Sequence, residues 1–251
     1  MFISLKGFLS HMDESGLEGL TREQRVQVKM QWREQQHKTH NVNIKLSPCG
    51  DVIKDFSVHN GVWNPTTVSA KYHASYLFFS SCRLFKNEAV IDIGTGTGII
   101  GIVTALYGAG KVTMSDISLK AYENAQENVH KYGLQDVATV VHGDLFENVN
   151  EKAKFISFMQ PYFNGEPAFG DTIAASMLSS QHLIHQFLRE AKDYLEKDGV
   201  ILMPGYTLAG RTNNPKFQGE KQGYDVQTVF TCNCNSGLQK GEIKLYELRL
   251  K

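Results

Sequence analysis

From residue 87 onward, short apolar runs alternate with stretches whose apolar residues recur every three or four positions, the pattern of strands alternating with helices. Ala89–Ile93 reads as a strand and 99–107, rich in Ile, Val and Ala, as a helix. A second strand over 111–115 ends at Asp116. Ser118 then caps a helix whose apolar positions Ala121, Ala125, Val129 and Tyr132 keep helical spacing. Strands follow over 137–141, ending at Gly143-Asp144, and over 155–159, ending at Gln160-Pro161. The clearest helix spans 180–196, where Leu183, Ile184, Phe187, Leu188, Ala191, Tyr194 and Leu195 form one stripe; Asp198-Gly199 is its expected stop. After a strand over 200–203, the runs 225–232 and 242–250 are joined by the loop 233–240 with no helix between them, so they pair antiparallel. The expected fold class is α/β: a Rossmann-like, seven-stranded, mostly parallel sheet with an antiparallel last strand and an N-terminal helical/β extension. No internal repeat or low-complexity segment interrupts it.

The first third is patterned differently. Residues 21–40 are polar and Gln-rich, with Val26, Met30, Val28 and Trp32 as the apolar positions, and predict a solvent-facing helix starting at the N-cap Thr21. The stretches 41–46 and 51–63 are strand-like and lead into Asn64-Pro65, where the proline forces an extended or turn conformation on Asn64. A helix over 69–84 carries Tyr72, Tyr76, Phe78 and Phe79. The expected organisation is thus an extension over 1–86, acting as a substrate-binding or lid segment, and a ligand-binding sheet domain over 87–251.

Charge narrows the partners. Lys plus Arg and Asp plus Glu both number 26, a formal net charge of zero, whereas a holder of long nucleic acid needs a basic excess. Arg22, Arg25, Lys29, Arg33 and Lys38 make the N-terminal helix mildly basic and read as a solvated face. The four cysteines, Cys49, Cys82, Cys232 and Cys234, lack a second pair or a nearby histidine, so no metal site is expected. No segment is long and apolar enough to span a bilayer, and residues 1–10 have neither a long apolar core nor a cleavage signal. Free thiols without an export signal point to the cytoplasm. No oligomeric state follows from the pattern.

The chemistry concentrates in the segment 90–101, Val-Ile-Asp-Ile-Gly-Thr-Gly-Thr-Gly-Ile-Ile-Gly, in which an apolar strand runs into a glycine turn that opens a helix. Glycines suit a sharp turn with a ligand lying against its backbone. Gly96-x-Gly98-x-x-Gly101 also satisfies the dinucleotide fingerprint, and Asp116 stands where that fold keeps its ribose-binding acid, so a nicotinamide-dependent oxidoreductase stays open on spacing alone. Asp92 discriminates: a carboxylate there opposes a pyrophosphate and favours a sulfonium ligand that carries an ammonium group.

Asp-x-Gly-x-Gly-x-Gly, the acid ending the second strand and Gly143-Asp144 after the third together resemble the class I S-adenosylmethionine-dependent methyltransferases, over about residues 89–251. The resemblance implies S-adenosyl-L-methionine as cofactor, with Asp92, Gly94, Thr95, Gly96 and Gly98 around its methionine half. It puts Asp116 and Ile117 at the ribose and adenine, Asp144 and Leu145 on the adenine, and Gln160 at the cofactor's reacting end. A carboxylate accepts from two hydroxyls at once, and another accepts from an amine. Gln160-Pro161-Tyr162-Phe163 resembles the Asn/Asp-Pro-Pro-Tyr/Phe loop of methyltransferases acting on amide or amino nitrogens, with Gln160 in place of Asn or Asp and Tyr162 in place of the second proline. The resemblance makes Gln160, Pro161 and Tyr162 the residues that orient the acceptor. Tyr72, His73, Tyr76, Tyr162 and Phe163 are the candidate substrate contacts, with Glu166, Asp171 and Thr172 in a loop suited to selectivity. The expected reaction is methylation of an amide or amino nitrogen on a small molecule or a protein side chain. The alternatives are a nucleobase or oxygen acceptor, the oxidoreductase, and a cofactor-binding protein without turnover.

Overall fold

A computed structural model describes residues 12–234 and 241–251; the loop expected over 233–240 and the segment 1–10 therefore lie largely or wholly outside the described residues. A 3-10 turn at Ser15–Leu17 precedes α1 (Arg22–Glu34), the hairpin β1 (His40–Lys45) and β2 (Val52–Val58), and α2 (Val68–Leu84). The alternating part comprises β3 (Ala89–Ile93), α3 (Ile99–Leu106), β4 (Lys111–Asp116), α4 (Leu119–Lys131), β5 (Ala138–His142) and β6 (Ala153–Phe158). The short pair β7 (Phe163–Asn164) and β8 (Leu178–Ser179) encloses α5 (Thr172–Ala175), and α6 (Leu183–Tyr194), β9 (Leu195–Tyr206), α7 (Pro215–Lys221), β10 (Tyr224–Cys234) and β11 (Gly241–Leu250) complete the chain.

Seven strands form one sheet in the order β10-β11-β9-β6-β3-β4-β5. The pairs β6–β3, β3–β4, β4–β5 and β6–β9 are parallel, and β11 runs antiparallel to both neighbours. Each central strand is apolar on both faces because helices cover both. Val90, Val112, Met114, Phe155 and Leu202 join the cluster under α2, α3 and α4. Their neighbours Ile91, Ile156, Phe158, Ile201 and Met203 join Ile184, Phe187, Leu188 and Ala191 of α6. Two helices differ from the sequence expectation. The helix α6 ends at Tyr194 and β9 begins at once; Asp198 has φ 58° inside β9, so Asp198-Gly199 shapes an irregular stretch of strand rather than stopping the helix.

The helix α1 is not solvent-facing. Val28 and Trp32 are its buried apolar residues while Val26 is 41% exposed. They pack with Leu17, Phe163, Ile173, Met177, Leu178 and Tyr206, so the helix seals the loops that follow β6 and β9. Thr21 caps it as expected, in a reciprocal capping box with Gln24. The small β element is the β1–β2 hairpin, whose Ile44, Ile53, Phe56 and Val58 share the core beneath α3 and α4. Two buried asparagines of α4 bind it: Asn124 Nδ2 and Asn128 Nδ2 donate to the Ser57 carbonyl, and Asn128 Oδ1 accepts from the Ser57 N–H at 2.9 Å. Asn128 Nδ2 also donates to the Thr97 carbonyl at 2.9 Å, tying the glycine turn to the extension. No described helix is long and apolar enough to cross a membrane.

Asn128→Ala is expected to destabilise the fold by about 2–4 kcal/mol, because it strands the Ser57 N–H in a dry interior and removes the shared donor. Urea unfolding followed by circular dichroism measures this; an unchanged midpoint would show that water replaces the side chain.

Candidate functional site

At the carboxyl ends of β3, β4, β5 and β6 a single cavity of about 370 Å³ opens, closed on its far side by α1 and the segment after the hairpin. This is where open α/β sheets hold ligands. The glycine turn forms its floor. Gly94, Gly96 and Gly98 have φ of 63°, 58° and 86°, a left-handed region that disfavours other residues. A Cβ built on Gly96 meets nothing within 4 Å and projects into open space, whereas one on Gly101 would collide with Met114 Sδ, so that glycine serves helix-to-strand packing.

Beneath the turn lies Asp92. Its Oδ2 accepts from Thr95 Oγ1 at 2.6 Å and from the Gly101 N–H at 3.1 Å. Burial pushes its carboxyl up to about 7, against the hydrogen bonds from Thr95, Gly101 and Ser157 that favour the charged form. Ser157 Oγ also meets His73 Nε2 at 3.3 Å, and His73 Nδ1 has no partner. If Ser157 donates to the Asp92 carboxylate, His73 must carry its proton on Nε2 and donate to Ser157. Burial holds the imidazole near 3, hence neutral.

Asp116 ends β4 with its carboxylate already oriented: Oδ2 accepts from the Gly96 N–H at 2.8 Å and Oδ1 from the Ser118 N–H at 2.9 Å. Each oxygen keeps a lone pair for a ligand hydroxyl. Burial raises its pKa. Beside it Ile117 lines the cavity while 67% exposed, an apolar surface without a protein cover, and the buried Leu145 lines the same cavity. Asp144 is exposed at the cavity edge, and partial burial together with Glu190 and Glu147 raises its pKa.

The loop after β6 forms the opposite wall. Gln160 is 3% exposed, and its Nε2 donates to the Pro204 carbonyl at 2.6 Å. That bond assigns the amide: a carbonyl accepts only, so the nitrogen faces Pro204, and Oε1 is left buried without a protein partner in a residue that lines the cavity. Asn213 Nδ2 holds the Tyr162 carbonyl at 3.0 Å, and the Phe163 N–H donates to the Met177 carbonyl at 2.9 Å, fixing the loop on both sides. From the extension, Trp32 Nε1 donates to Asp171 Oδ2 at 2.8 Å and the Thr172 hydroxyl donates to the Gly61 carbonyl at 2.6 Å.

The cavity thus gathers Asp92, Gly94, Thr95, Gly96, Asp116, Ile117, Asp144, Leu145, Gln160, Pro161, Tyr162 and Phe163. Gly98 lies behind the wall, packed against Ala125 of α4. Tyr72, His73 and Tyr76, expected as substrate contacts, are not brought to it. Helical phase turns them toward the sheet: the Tyr72 ring lies 5.5 Å from Phe230, His73 is buried on Ser157, and the Tyr76 hydroxyl donates to Glu247. The expectation missed Gln31, Glu34, Gln35 and Trp63, which line the cavity from the extension. Among the described residues no cluster of His, Cys, Asp and Glu suits a metal.

The methyltransferase small domain family matches residues 55–207, more than half of this 251-residue chain, and the chain belongs to that family. It is similar to the ribosomal protein L11 methyltransferase of Bacillus pumilus, 28% identical over 146 residues that make up 58% of this chain and 40% of that protein. It is also similar to the ribosomal protein uL3 glutamine methyltransferase of Bordetella pertussis, 30% identical over 127 residues, 46% of this chain and 43% of that protein. The chain therefore spans less than half the length of either relative. A solved structure of the Thermus thermophilus 16S rRNA N2 G1207 methyltransferase in complex with AdoMet and guanosine superposes with a TM-score of 0.55 at 20% identity, covering 85% of this chain and 50% of that one. The ribosomal protein L11 methylase of Lactobacillus delbrueckii subsp. bulgaricus gives a TM-score of 0.52 at 18% identity over 83% of this chain and 99% of that one. At these identities the likeness establishes the fold.

S-adenosylmethionine, the methyl donor of this family, fits the cavity. Open space over Gly96, a two-oxygen acceptor at Asp116 and the uncovered Ile117 suit a backbone-contacting chain, a ribose and an adenine in turn. Asp116→Ala is expected to weaken S-adenosylhomocysteine binding by about 2 kcal/mol or more. An ionised carboxylate is the form that accepts hydroxyls, and the pKa of Asp116 is raised. Wild-type affinity is thus expected to fall with pH already above the ordinary carboxylate range near 4. Calorimetry at several pH values checks both statements. For Asp92 the sign runs through folding: below about 4 both states are protonated, and between there and about 7 only the folded protein keeps the proton, so stability falls as pH rises across that window. Asp92→Asn is expected to flatten this slope in urea titrations at pH 5 and 8; an equal slope in both proteins would remove Asp92 as its source.

Proposed function

We propose that this member of the methyltransferase small domain family transfers a methyl group from S-adenosylmethionine to an amide or amino nitrogen of a protein side chain or small molecule. The observation that carries the reading is Gln160: its nitrogen is engaged by Pro204, and its oxygen is buried without a protein partner in a residue that lines the donor cavity. Such an oxygen accepts from an N–H of the acceptor and fixes the direction of the nitrogen lone pair. The uL3 relative, whose name gives glutamine as its acceptor, supports an amide nitrogen.

In this reading Asp116 holds the ribose hydroxyls, Asp144 accepts from the adenine amino group, Ile117 and Leu145 cover the adenine, and the turn from Gly94 to Gly96 lies along the methionine half. When bound, the donor supplies a sulfonium methyl: the new N–C bond forms as the S–C bond breaks, S-adenosylhomocysteine leaves, and the nitrogen loses one proton. Gln160 and Pro161 orient the nitrogen and Tyr162 and Phe163 flank it, while Gln31, Gln35 and Trp63 exclude water from above. Among the described residues no histidine, lysine or arginine lines the cavity, so rate enhancement comes from proximity and orientation rather than from a strong base.

Gln160→Ala is expected to lower the methylation rate on the order of 10²-fold with cofactor affinity nearly unchanged, since geometry is lost only where the nitrogen attacks. Gln160→Asn, one methylene shorter, is expected to recover part of the rate. Transfer of labelled methyl to glutamine- and amine-bearing peptides measures both, and a wild-type rate in Gln160→Ala would overturn the assignment.

A further inference from the structure

In the reading above, the loop between β6 and β7 carries the residues that meet the acceptor, yet residues 159–162 belong to no strand or helix. What grips that loop from outside therefore sets its place. Hydrogen bonds from three directions do so. Gln160 Nε2 donates to the Pro204 carbonyl of β9, the Phe163 N–H donates to the Met177 carbonyl, and Asn213 Nδ2 donates to the Tyr162 carbonyl at 3.0 Å.

Asn213 differs from its surroundings. It lies in the turn between β9 and α7, where Gly210, Arg211 and Thr212 are exposed, but is itself only 2% exposed. It does not line the cavity, so it acts there only through another residue. The turn is braced independently of the loop. Asn214 caps α7 through the Lys216 and Phe217 N–H groups, Gln218 Nε2 donates to the Thr212 carbonyl at 2.9 Å, and the Arg211 guanidinium lies 4.4 Å from the centre of the Phe217 ring. The helix itself packs on β9, β10 and β11. Next to Asn213, Thr212 Oγ1 accepts from Asn164 Nδ2 at 2.9 Å. Two adjacent residues of one rigid turn thus hold the chain at Tyr162 and again at Asn164.

We propose that Asn213 is a positioning residue for methyl transfer: by holding the Tyr162 carbonyl it fixes the loop, and with it the Gln160 amide two residues earlier. This rests on the nitrogen-methylation reading, in which that amide orients the attacking nitrogen. Such a residue governs the rate and leaves donor binding alone, because Asp116 and the glycine turn are held by other groups. A misplacement of about 1 Å at the reacting atoms costs on the order of 10²-fold in rate.

Asn213→Asp separates positioning from mere packing. It keeps the shape of the side chain, but an ionised carboxylate has no proton to give the Tyr162 carbonyl, whereas the protonated acid donates again. Burial raises the pKa of the introduced acid, which brings this change within reach between pH 5 and 8. With S-adenosylhomocysteine bound to the full chain, the Gln160 side-chain amide resonances, identified by their loss in Gln160→Ala, are followed in nitrogen-15 spectra. They are expected to be displaced in Asn213→Ala at both pH values. In Asn213→Asp they are displaced at pH 8 and return toward their wild-type positions at pH 5. Labelled methyl transfer to glutamine- and amine-bearing peptides at saturating S-adenosylmethionine follows the same pattern. Asn213→Ala is slowed about 10- to 10²-fold, and Asn213→Asp is slowed at pH 8 and recovers relative to wild type at pH 5, with S-adenosylhomocysteine affinity unchanged in both. Gln160 resonances at wild-type positions in both variants at pH 8 overturn the proposal. So does a rate loss in Asn213→Asp that is the same at the two pH values, or one matched by an equal loss of S-adenosylhomocysteine affinity. A wild type that methylates neither kind of peptide overturns the nitrogen reading, and the proposal with it, even where the resonances respond.

Discussion

The site depends on a carboxylate buried where no carboxylate is comfortable. Asp92 sits at the end of β3, dry, and gathers the Thr95 hydroxyl and the Gly101 amide onto one oxygen. Those bonds close the turn between strand and helix, so that three glycines with left-handed backbones stand in one shape before any ligand arrives. A turn built of glycines is otherwise the loosest part of a chain. The buried acid supplies the rigidity that the glycines lack, and its raised proton affinity is the cost of placing it there. Neighbouring elements reach the same turn from outside. Asn128 holds the Thr97 carbonyl, and Asp116 holds the Gly96 amide. The ligand floor is therefore fixed by groups from β3, β4 and α4 together.

Much of this was legible in the sequence because it is local. The glycines, the acid two residues before them, and acids at two strand ends are all readable within a dozen residues, and the alternation of apolar runs gives the sheet. What escaped was set by tertiary partners. Val26 and Val28 are equally apolar on paper; only the packing of Trp32 against Ile173 and Phe163 decides which of them is buried. Gln27 and Gln35 are buried on the same face, and a polar residue hidden from water is invisible to a hydrophobicity pattern. The three α2 residues expected in the site lie a few positions after the Asn64-Pro65 turn, yet their helix faces the sheet, and sequence proximity could not reveal its phase. Asp198-Gly199 has the chemistry of a helix stop, but the strand pairing of β9 with β6 claims the residues from Leu195 onward.

The extension is better understood as part of the site than as an appendage. Its hairpin joins the main core, and its first helix seals the loops that carry Gln160 and Thr172. Two side chains make the connection directional. Trp32 donates to Asp171, which also caps α5, and Thr172 one residue later donates to the turn that follows the hairpin. Moving α1 would therefore move α5, and with it the wall opposite the glycine turn. The family match begins at residue 55, within β2, so α1 and β1 are what this chain adds ahead of the matched region, and they are what bring Gln31, Glu34 and Gln35 to the cavity.

That arrangement separates two tasks that one cavity must perform. The floor and the nucleoside end are built from strand ends and backbone amides, which vary little in shape because the sheet register holds them. The roof is built from side chains of a helix attached by the Trp32–Asp171, Gln24–Leu208 and Gln35–Asn64 hydrogen bonds and by apolar contacts, and such an element can change its cavity-lining residues without disturbing the turn beneath. In the proposed reaction, selection among acceptors is a property of the roof and of the loop after β6, while donor binding belongs to the floor. The electrostatics follow the same division. On the floor, the Asp116 carboxylate is held by the Gly96 and Ser118 amides; on the side of the extension, Glu34 lines the cavity as an exposed carboxylate. Among the described residues that line the cavity the charged side chains are all acids, so an anionic ligand finds no opposite charge there, and that polarity, more than the size of the cavity, limits what the site can take.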